Sequence, residues 1–202
     1  MLAFLCVCPG LLQAENFYIR PPRYAVYDED EEVSYYPPVK LAAAAVYSKG
    51  LICDNNGDEI GWSMAGLRAD AKLKITSVFY VGLEGARLWT TDQTTKLIHT
   101  ITRDSGQFIF QLLLTPATET KLYMVGGIGR AAYRASFKYP ERTMTHHSTV
   151  WTGGVGAEYP ISGGWYVNAE YRFSYDVSPW KGFMLVGPRT REEWSFSVGY
   201  CF

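Results

Sequence analysis

His146, His147 and Ser148 stand close enough in the chain to suggest acyl-transfer chemistry. A histidine two residues before a serine can act as base to that nucleophile, and a carboxylate such as Glu158 can orient the imidazole. On an extended strand, however, Ser148 and Glu158 are separated by more than about 25 Å. A hydrogen-bonded triad does not span that distance, so the pair reads as polar loop histidines and no catalytic residue is expected. The run DNNGDE at 54–59 looks like the start of a calcium loop. Glu59 occupies the sixth position, which needs a glycine, and Leu67 the twelfth, which needs a bidentate glutamate. Asn56-Gly57 is better read as turn chemistry. Neither a metal site nor a cofactor is expected.

Composition narrows the rest. The 202 residues amount to about one domain. Charged residues are 19% and the net charge is −1, so the basic excess of a nucleic-acid binder is missing. Aromatic residues at 15% and the low charge argue against disorder. Mean hydropathy is −0.09, and no stretch reaches the roughly 18 apolar residues of a membrane helix. What remains is a β-rich domain, soluble or in an outer membrane.

The apolar run 2–12 followed by Leu12-Gln13-Ala14 reads as a secretory signal peptide over 1–14 with cleavage after Ala14, although no Lys or Arg precedes the run. Cys6 and Cys8 leave with it, and the residues before Cys6 make a poor lipoprotein signal. Residues 15–38 carry Pro21-Pro22, Pro37-Pro38, several tyrosines and the acidic run 28–32. They read as a flexible periplasmic extension, because paired prolines favour extended chain. The domain itself is expected over 39–202.

From Val39 onward the pattern has period two. At the C-terminus Trp194, Phe196, Val198, Tyr200 and Phe202 alternate with Ser195, Ser197, Gly199 and Cys201. In 165–174, Trp165, Val167, Ala169, Tyr171 and Phe173 oppose Tyr166, Asn168, Glu170, Arg172 and Ser174. In 151–159, Trp151, Val155 and Tyr159 oppose Gly154, Gly156 and Glu158. In 107–114, Phe108, Phe110, Leu112 and Leu114 oppose Gln107, Ile109, Gln111 and Leu113. In 79–84, Phe79, Val81 and Leu83 oppose Tyr80, Gly82 and Glu84. In 60–65, Ile60, Trp62 and Met64 are read as the bulky face against Gly61, Ser63 and Ala65. Residues 40–48 place Leu41 and Tyr47 on one face, and 120–134 place Leu122, Met124 and Ile128 opposite Tyr123, Gly127 and Gly129. These segments make eight strands.

Long connections at 49–57, 90–105, 137–147 and 177–190 alternate with short ones at 69–73, 115–118 and 162–164. That is the pattern of an up-and-down barrel with one rim outside the cell and both termini periplasmic. Side-chain size selects the face. An eight-stranded bore holds small residues and a few charges, not rows of rings, so the bulky face points outward. In water that face would exceed the apolar patch a soluble monomer tolerates, whereas lipid requires it. A soluble lipocalin-like barrel is the alternative. The expected fold is an all-β, eight-stranded antiparallel transmembrane barrel.

Glu84, Glu158, Glu170 and Arg172 then point inward, three acids against one base. Strict parity puts Arg130 outward, so it is expected near the outer rim or turned inward by a bulge. Arg172 and Arg130 are expected to neutralise the glutamates and plug the lumen. No disulfide between Cys53 and Cys201 is expected, because they lie at opposite rims.

FYVGLEGAR at 79–87, GGIGR at 126–130, GGVGAEY at 153–159 and NAEYRF at 168–173 resemble strands of the small outer-membrane β-barrels related to the OmpA transmembrane domain and the opacity-type surface proteins. WSFSVGYCF at 194–202 resembles the C-terminal strand that such proteins present to the barrel-assembly machinery, with Phe202 as the terminal aromatic. The resemblance covers roughly 39–202, and no peptidoglycan-binding segment follows Phe202, so a cell-wall tether is not expected. His146-His147-Ser148 resembles the His-x-Ser of lipid A 3-O-deacylases, but Thr149-Val150-Trp151 departs from that family's continuation. The expected function is therefore non-enzymatic: an outer-membrane barrel with a plugged polar lumen, contributing to envelope integrity and presenting its four outer loops for interaction or adhesion. Its partners are then outer-membrane lipid, the assembly machinery and an unidentified surface partner. Trp180, Phe183, Met184, Leu185 and Val186 form either an apolar contact in the fourth loop or a strand extension above the membrane. A lipid A-modifying enzyme is the main alternative.

Overall fold

The structure is a computed structural model that describes residues 38–54, 59–91, 98–137, 142–178, 181–182, 185–186 and 190–202. The signal segment with Ala14, the extension up to residue 37, the loop tips, and Trp180, Phe183 and Met184 lie outside the described residues. Eight long strands follow one another: β1 Val39–Asp54, β2 Glu59–Lys74, β3 Phe79–Thr90, β4 Ile98–Leu113, β5 Lys121–Phe137, β6 Arg142–Pro160, β7 Trp165–Asp176 and β8 Thr190–Cys201. Each pairs antiparallel with its neighbour in the chain, and β8 pairs back onto β1, so no long strand is left as an edge. Followed from Lys40 through Lys72, Gly82, Ile109, Gly127, Thr152, Ser174 and Arg191, the register returns to β1 at Gly50, ten residues on. Eight strands with that stagger tilt by about 40°, so each residue advances about 2.5 Å along the barrel axis.

The turns at one end are short, and each is built from local chemistry. Phe79 N donates to Thr76 Oγ1 at 3.1 Å, and Ile75 N to the Phe79 carbonyl at 2.9 Å. Leu122 N donates to Thr115 Oγ1 at 2.8 Å. Gly163 and Gly164 have φ of 57° and 86°, the left-handed pair that a two-residue hairpin needs. Phe202 N donates to the Val39 carbonyl at this same end, sealing first strand to last.

Outward positions carry the bulky side chains. Leu83, Phe108, Met124, Val155, Phe173 and Phe196 are all exposed, and so are Trp194, Val198 and Phe202. Trp151 and Tyr159 lie eight residues apart on β6, about 20 Å along the axis, and mark two girdles of rings. Trp165 and Tyr200 stack edge-on at 5.2 Å in the lower girdle, while Tyr47 and Tyr171 flank Trp194 at 5.9 and 5.5 Å in the upper. The spacing is close to the apolar height of an outer-membrane barrel, about 25 Å.

Three expectations need correction. Residues 69–73 are strand, not turn, because Ala69, Ala71 and Leu73 continue the alternation of β2, and the turn falls at 75–78. The long connections are shorter than read. β1 runs to Asp54, β4 starts at Ile98 and β6 at Arg142, because the strands continue past the membrane, where threonines and charges face water. In the fourth connection the strand extension holds at the backbone: Lys181–Gly182 pairs with Leu185–Val186, which pairs with Cys53 and Asp54 of β1. Finally, Trp62 and Met64 are not on the bulky outer face. They are 2% and 1% exposed and point into the lumen. They pack with Leu88, Ile101, Phe137 and Val150 in an apolar cluster in the half of the bore away from the short turns.

Gly153 and Gly154 sit on opposite faces of β6. A side chain at Gly154 would strike the Tyr171 carbonyl and come within 2.8 Å of the Arg172 Cα, whereas at Gly153 nothing lies within 4 Å. Gly154→Val is expected to destabilise the barrel by about 1–3 kcal/mol through overpacking. Gly153→Val should stay within about 0.5 kcal/mol. Urea unfolding in lipid vesicles, followed by tryptophan fluorescence, compares the two.

Candidate functional site

The inward face carries the ionisable groups, and they balance. Among the described residues, the buried cations are Lys40, Arg68, Lys72, Arg103, Arg172 and Arg191, and the buried anions are Asp70, Glu84, Glu158, Glu170, Asp176 and Glu193. Six face six, where the sequence reading had three acids against one base.

At the short-turn mouth Lys40 Nζ donates to both oxygens of Glu158 at 2.7 Å and lies over the rings of Tyr80 and Tyr166, 4.5 and 5.2 Å from their centroids. Higher up, Glu170 receives two guanidinium groups on one oxygen: Arg172 Nε at 2.5 Å and Arg68 Nη2 at 2.6 Å. Its other oxygen accepts from Tyr123 OH at 3.1 Å, while Asn168 Oδ1 accepts from the same hydroxyl at 2.6 Å. Arg172 Nη1 reaches Glu84 at 2.8 Å, and Arg68 Nε lies 3.6 Å from the same carboxylate. These four residues come from β2, β3 and β7 and meet across the bore. A third group sits near the outer half: Arg191 Nη2 with Asp176 at 3.1 Å, Tyr133 OH donating to Asp176 at 2.8 Å, and Arg103 Nη1 with Glu193 at 3.5 Å. Arg191 also donates to Tyr133 OH.

Of the residues expected in the lumen, Glu84, Glu158, Glu170 and Arg172 are there, with Glu158 in a group of its own. Arg130 is not. The β5–β6 ladder runs without a shift through Gly129–Val150 and Arg130–Thr149, so parity holds and Arg130 stays on the outer wall, exposed. Arg68 and Lys40 take the partners assigned to it. The missed residues had a readable signal. Leu67, Ala69, Ala71 and Leu73 alternate with Arg68, Asp70 and Lys72, which fixes the phase of β2 opposite to the one read at 60–65.

Among the described residues, the lumen is occupied by paired charges and buried side chains. Trp62, Arg103, Arg172, Arg191 and Tyr123 are fully buried and fill the bore. Ser148 Oγ donates to the Thr149 carbonyl at 3.1 Å and accepts from Ser178 N at 3.3 Å, and His146 Nε2 lies 2.9 Å from the Ser178 carbonyl. Glu158 is at the opposite mouth, so these residues form no triad. Buried ion pairs add little net stability, but removing one partner strands the other. Arg172→Met should cost about 3–5 kcal/mol, and adding Glu170→Gln should recover part of that loss. Arg130→Met should change stability by less than about 0.5 kcal/mol. Urea midpoints of the four proteins in vesicles test the assignment.

The fold and lumen can now be set beside known proteins. Residues 24–202 match the family model described as "Outer membrane protein beta-barrel domain". No curated protein matches the sequence. Among solved structures, the barrel is similar to Neisserial surface protein A, with a TM-score of 0.59 at 16% identity, covering 81% of this chain and 97% of that one. It is similar to Ail, the attachment invasion locus protein of Yersinia pestis, with a TM-score of 0.54 at 14% identity, covering 83% and 100%. It is also similar to the N-terminal β-barrel domain of Pseudomonas aeruginosa OprF, with a TM-score of 0.50 at 14% identity, covering 83% and 98%. At these identities the likeness is one of fold. The family match spans the whole closed barrel, and the chain belongs to the outer-membrane protein β-barrel family.

Proposed function

We propose that the chain is a non-enzymatic outer-membrane barrel with periplasmic termini, a closed lumen, and a water-facing rim that contacts partners at the cell surface while the belt contributes to envelope integrity. The lumen is the observation that carries this reading. Among the described residues, six buried cations and six buried anions occupy the space that a pore would keep for water and an enzyme for substrate. Above the upper girdle the strands continue for several residues, and their outward positions include Thr100, Thr102, Thr145 and His147. A raised polar rim of this kind is suited to surface contact. The name of Ail states attachment and invasion, and one structure of that protein is in complex with the heparin analogue sucrose octasulfate; both favour a contact role for this chain. The outward apolar row of 194–202 suits Trp194, Phe196, Val198, Tyr200 and Phe202 for recognition by the assembly machinery.

The refolded protein should show heat-modifiable gel mobility and need detergent for extraction. In planar bilayers it should give no conductance steps above the bare membrane; discrete steps would contradict the closed lumen. Ser148→Ala should leave the lipid A acyl profile of the host unchanged by mass spectrometry, and an altered profile would restore the enzyme reading. An epitope ahead of residue 39 should be shielded from antibody on intact cells.

A further inference from the structure

The outer wall of β3–β6 breaks its apolar pattern in one place. Arg87 on β3, Asp104 on β4, Arg130 and Arg134 on β5 and His147 on β6 all lie on outward positions. The register arranges them around Ala132. Asp104 faces Ala132 from one side and His147 from the other, Arg87 faces Asp104, and Arg130 and Arg134 lie two residues away along β5 in either direction. Ala132 is the smallest side chain among these, so the centre of the ring is low. Arg87 Nε is 3.2 Å from Asp104, and Arg134 Nη2 is 4.0 Å from the other oxygen of that carboxylate. The Arg87 and Arg134 side chains remain 62% and 56% exposed. Arg130 has no ion pair among the described residues. Two guanidinium groups thus share one carboxylate and the third, that of Arg130, stands beside them, leaving an excess of two positive charges on this wall. Elsewhere at this height the outward cation Lys49 faces Glu192 across the β1–β8 ladder.

Depth identifies the environment. Counting about 2.5 Å per residue along the axis, Arg87, Arg130 and Asp104 stand within about 5 Å of Trp151 and Tyr47, and Arg134 and His147 about 10 Å above them. Arginine costs about 2–4 kcal/mol at the bilayer midplane and almost nothing at the interface, so these side chains sit at headgroup level. Beneath them the wall is apolar, with Ile128 next below Arg130 and its ladder partner Phe108 below Asp104 beyond Gly106. An anion with hydrocarbon attached fits both halves of the surface.

We propose that this patch holds the phosphorylated headgroup of an outer-leaflet lipid, with Arg87 and Arg130 on a phosphate, Asp104 orienting the Arg87 guanidinium, Arg134 extending the contact upward, and the acyl chains lying on Ile128 and Phe108. Guanidinium forks match phosphate oxygens in bidentate geometry, and such charge-assisted bonds are among the stronger ones available. Continuity with the apolar belt selects a lipid over a soluble polyanion. The inference rests on the outward face lying in the membrane, as proposed above.

The test uses the full-length protein refolded into phosphatidylcholine vesicles doped with bisphosphorylated lipid A, then extracted gently and weighed by native mass spectrometry with its retained lipid. The wild type should retain lipid A and should not retain the dephosphorylated form. The R87Q/R130Q/R134Q variant should lose retention by about tenfold or more, and Lys49→Gln should not. All three proteins should keep heat-modifiable mobility, which separates loss of the site from loss of the barrel. Equal retention by wild type and triple variant would overturn the proposal. So would release of lipid A by inorganic phosphate at millimolar level, or arginine-dependent binding of sucrose octasulfate as tight as that of lipid A. A wild type that fails to insert would sink the membrane reading and the proposal together.

Discussion

A bore enclosed by eight strands with a stagger of ten residues is so narrow that inward side chains meet across it, as Arg68 and Glu84 meet Glu170 and Arg172. Everything else in the molecule follows from that width. Rings cannot line the inside in rows, so within the membrane they go outside, where hydrocarbon accepts them. Water cannot fill the inside as it does in a wide porin, so each ionised inward group must find its counter-charge within the wall. The equality of buried cations and anions among the described residues is the result. Arg172 and Arg68 converge on Glu170 and Glu84, so that each carboxylate lies beside two guanidinium groups.

The faces keep their phase along the whole strand but exchange polarity at the upper girdle. On β2 the even positions are inward throughout: Arg68, Asp70 and Lys72 inside the membrane span, Met64 and Trp62 above it. β5 does the same, with Leu122, Met124 and Ile128 outward below, and Arg134 outward above, where Tyr133 and Phe137 turn in. Below the girdle the barrel is inside-out, apolar against lipid. Above it, the outward face turns polar, while Trp62, Met64 and Phe137 share the interior with the paired Arg103, Asp176 and Arg191.

That exchange explains what could and could not be read from the sequence. The strand number, the closed antiparallel ring and the outward rows at Phe108–Leu114 and Trp194–Phe202 were legible, because each lies within the membrane span, where bulky means outward. Trp62 and Met64 were misassigned because the same rule was applied above the span, where it reverses. The misassignment hid Arg68, Asp70 and Lys72, and with Arg68 one of the two cations of the central network. Strand ends were misplaced for a related reason: Thr100, Thr102, Thr143 and Thr145 look like loop residues but are strand residues facing water. Arg130 was assigned to the lumen by charge balance alone; with Arg68 and Lys40 in view, the balance closes without it.

Why the lumen holds ions at all is a question of specificity more than of stability. Apolar residues of equal volume would pack the bore at less desolvation cost. They would also make the two faces of each strand alike. A one-residue slip moves every inward side chain to the outer wall, and in an all-apolar barrel lipid would tolerate it. With Arg68 and Lys72 inward, the same slip of β2 places a guanidinium and an ammonium group against hydrocarbon, at about 2–4 kcal/mol each near the midplane. The charges therefore fix which face is inside and in which register the ring closes. The outer wall obeys the same logic. Among the described residues, the outward charges Lys49, Arg87, Asp104, Arg130, Arg134 and Glu192 all stand at or above the upper girdle, the height at which an outward charge no longer costs the barrel its orientation.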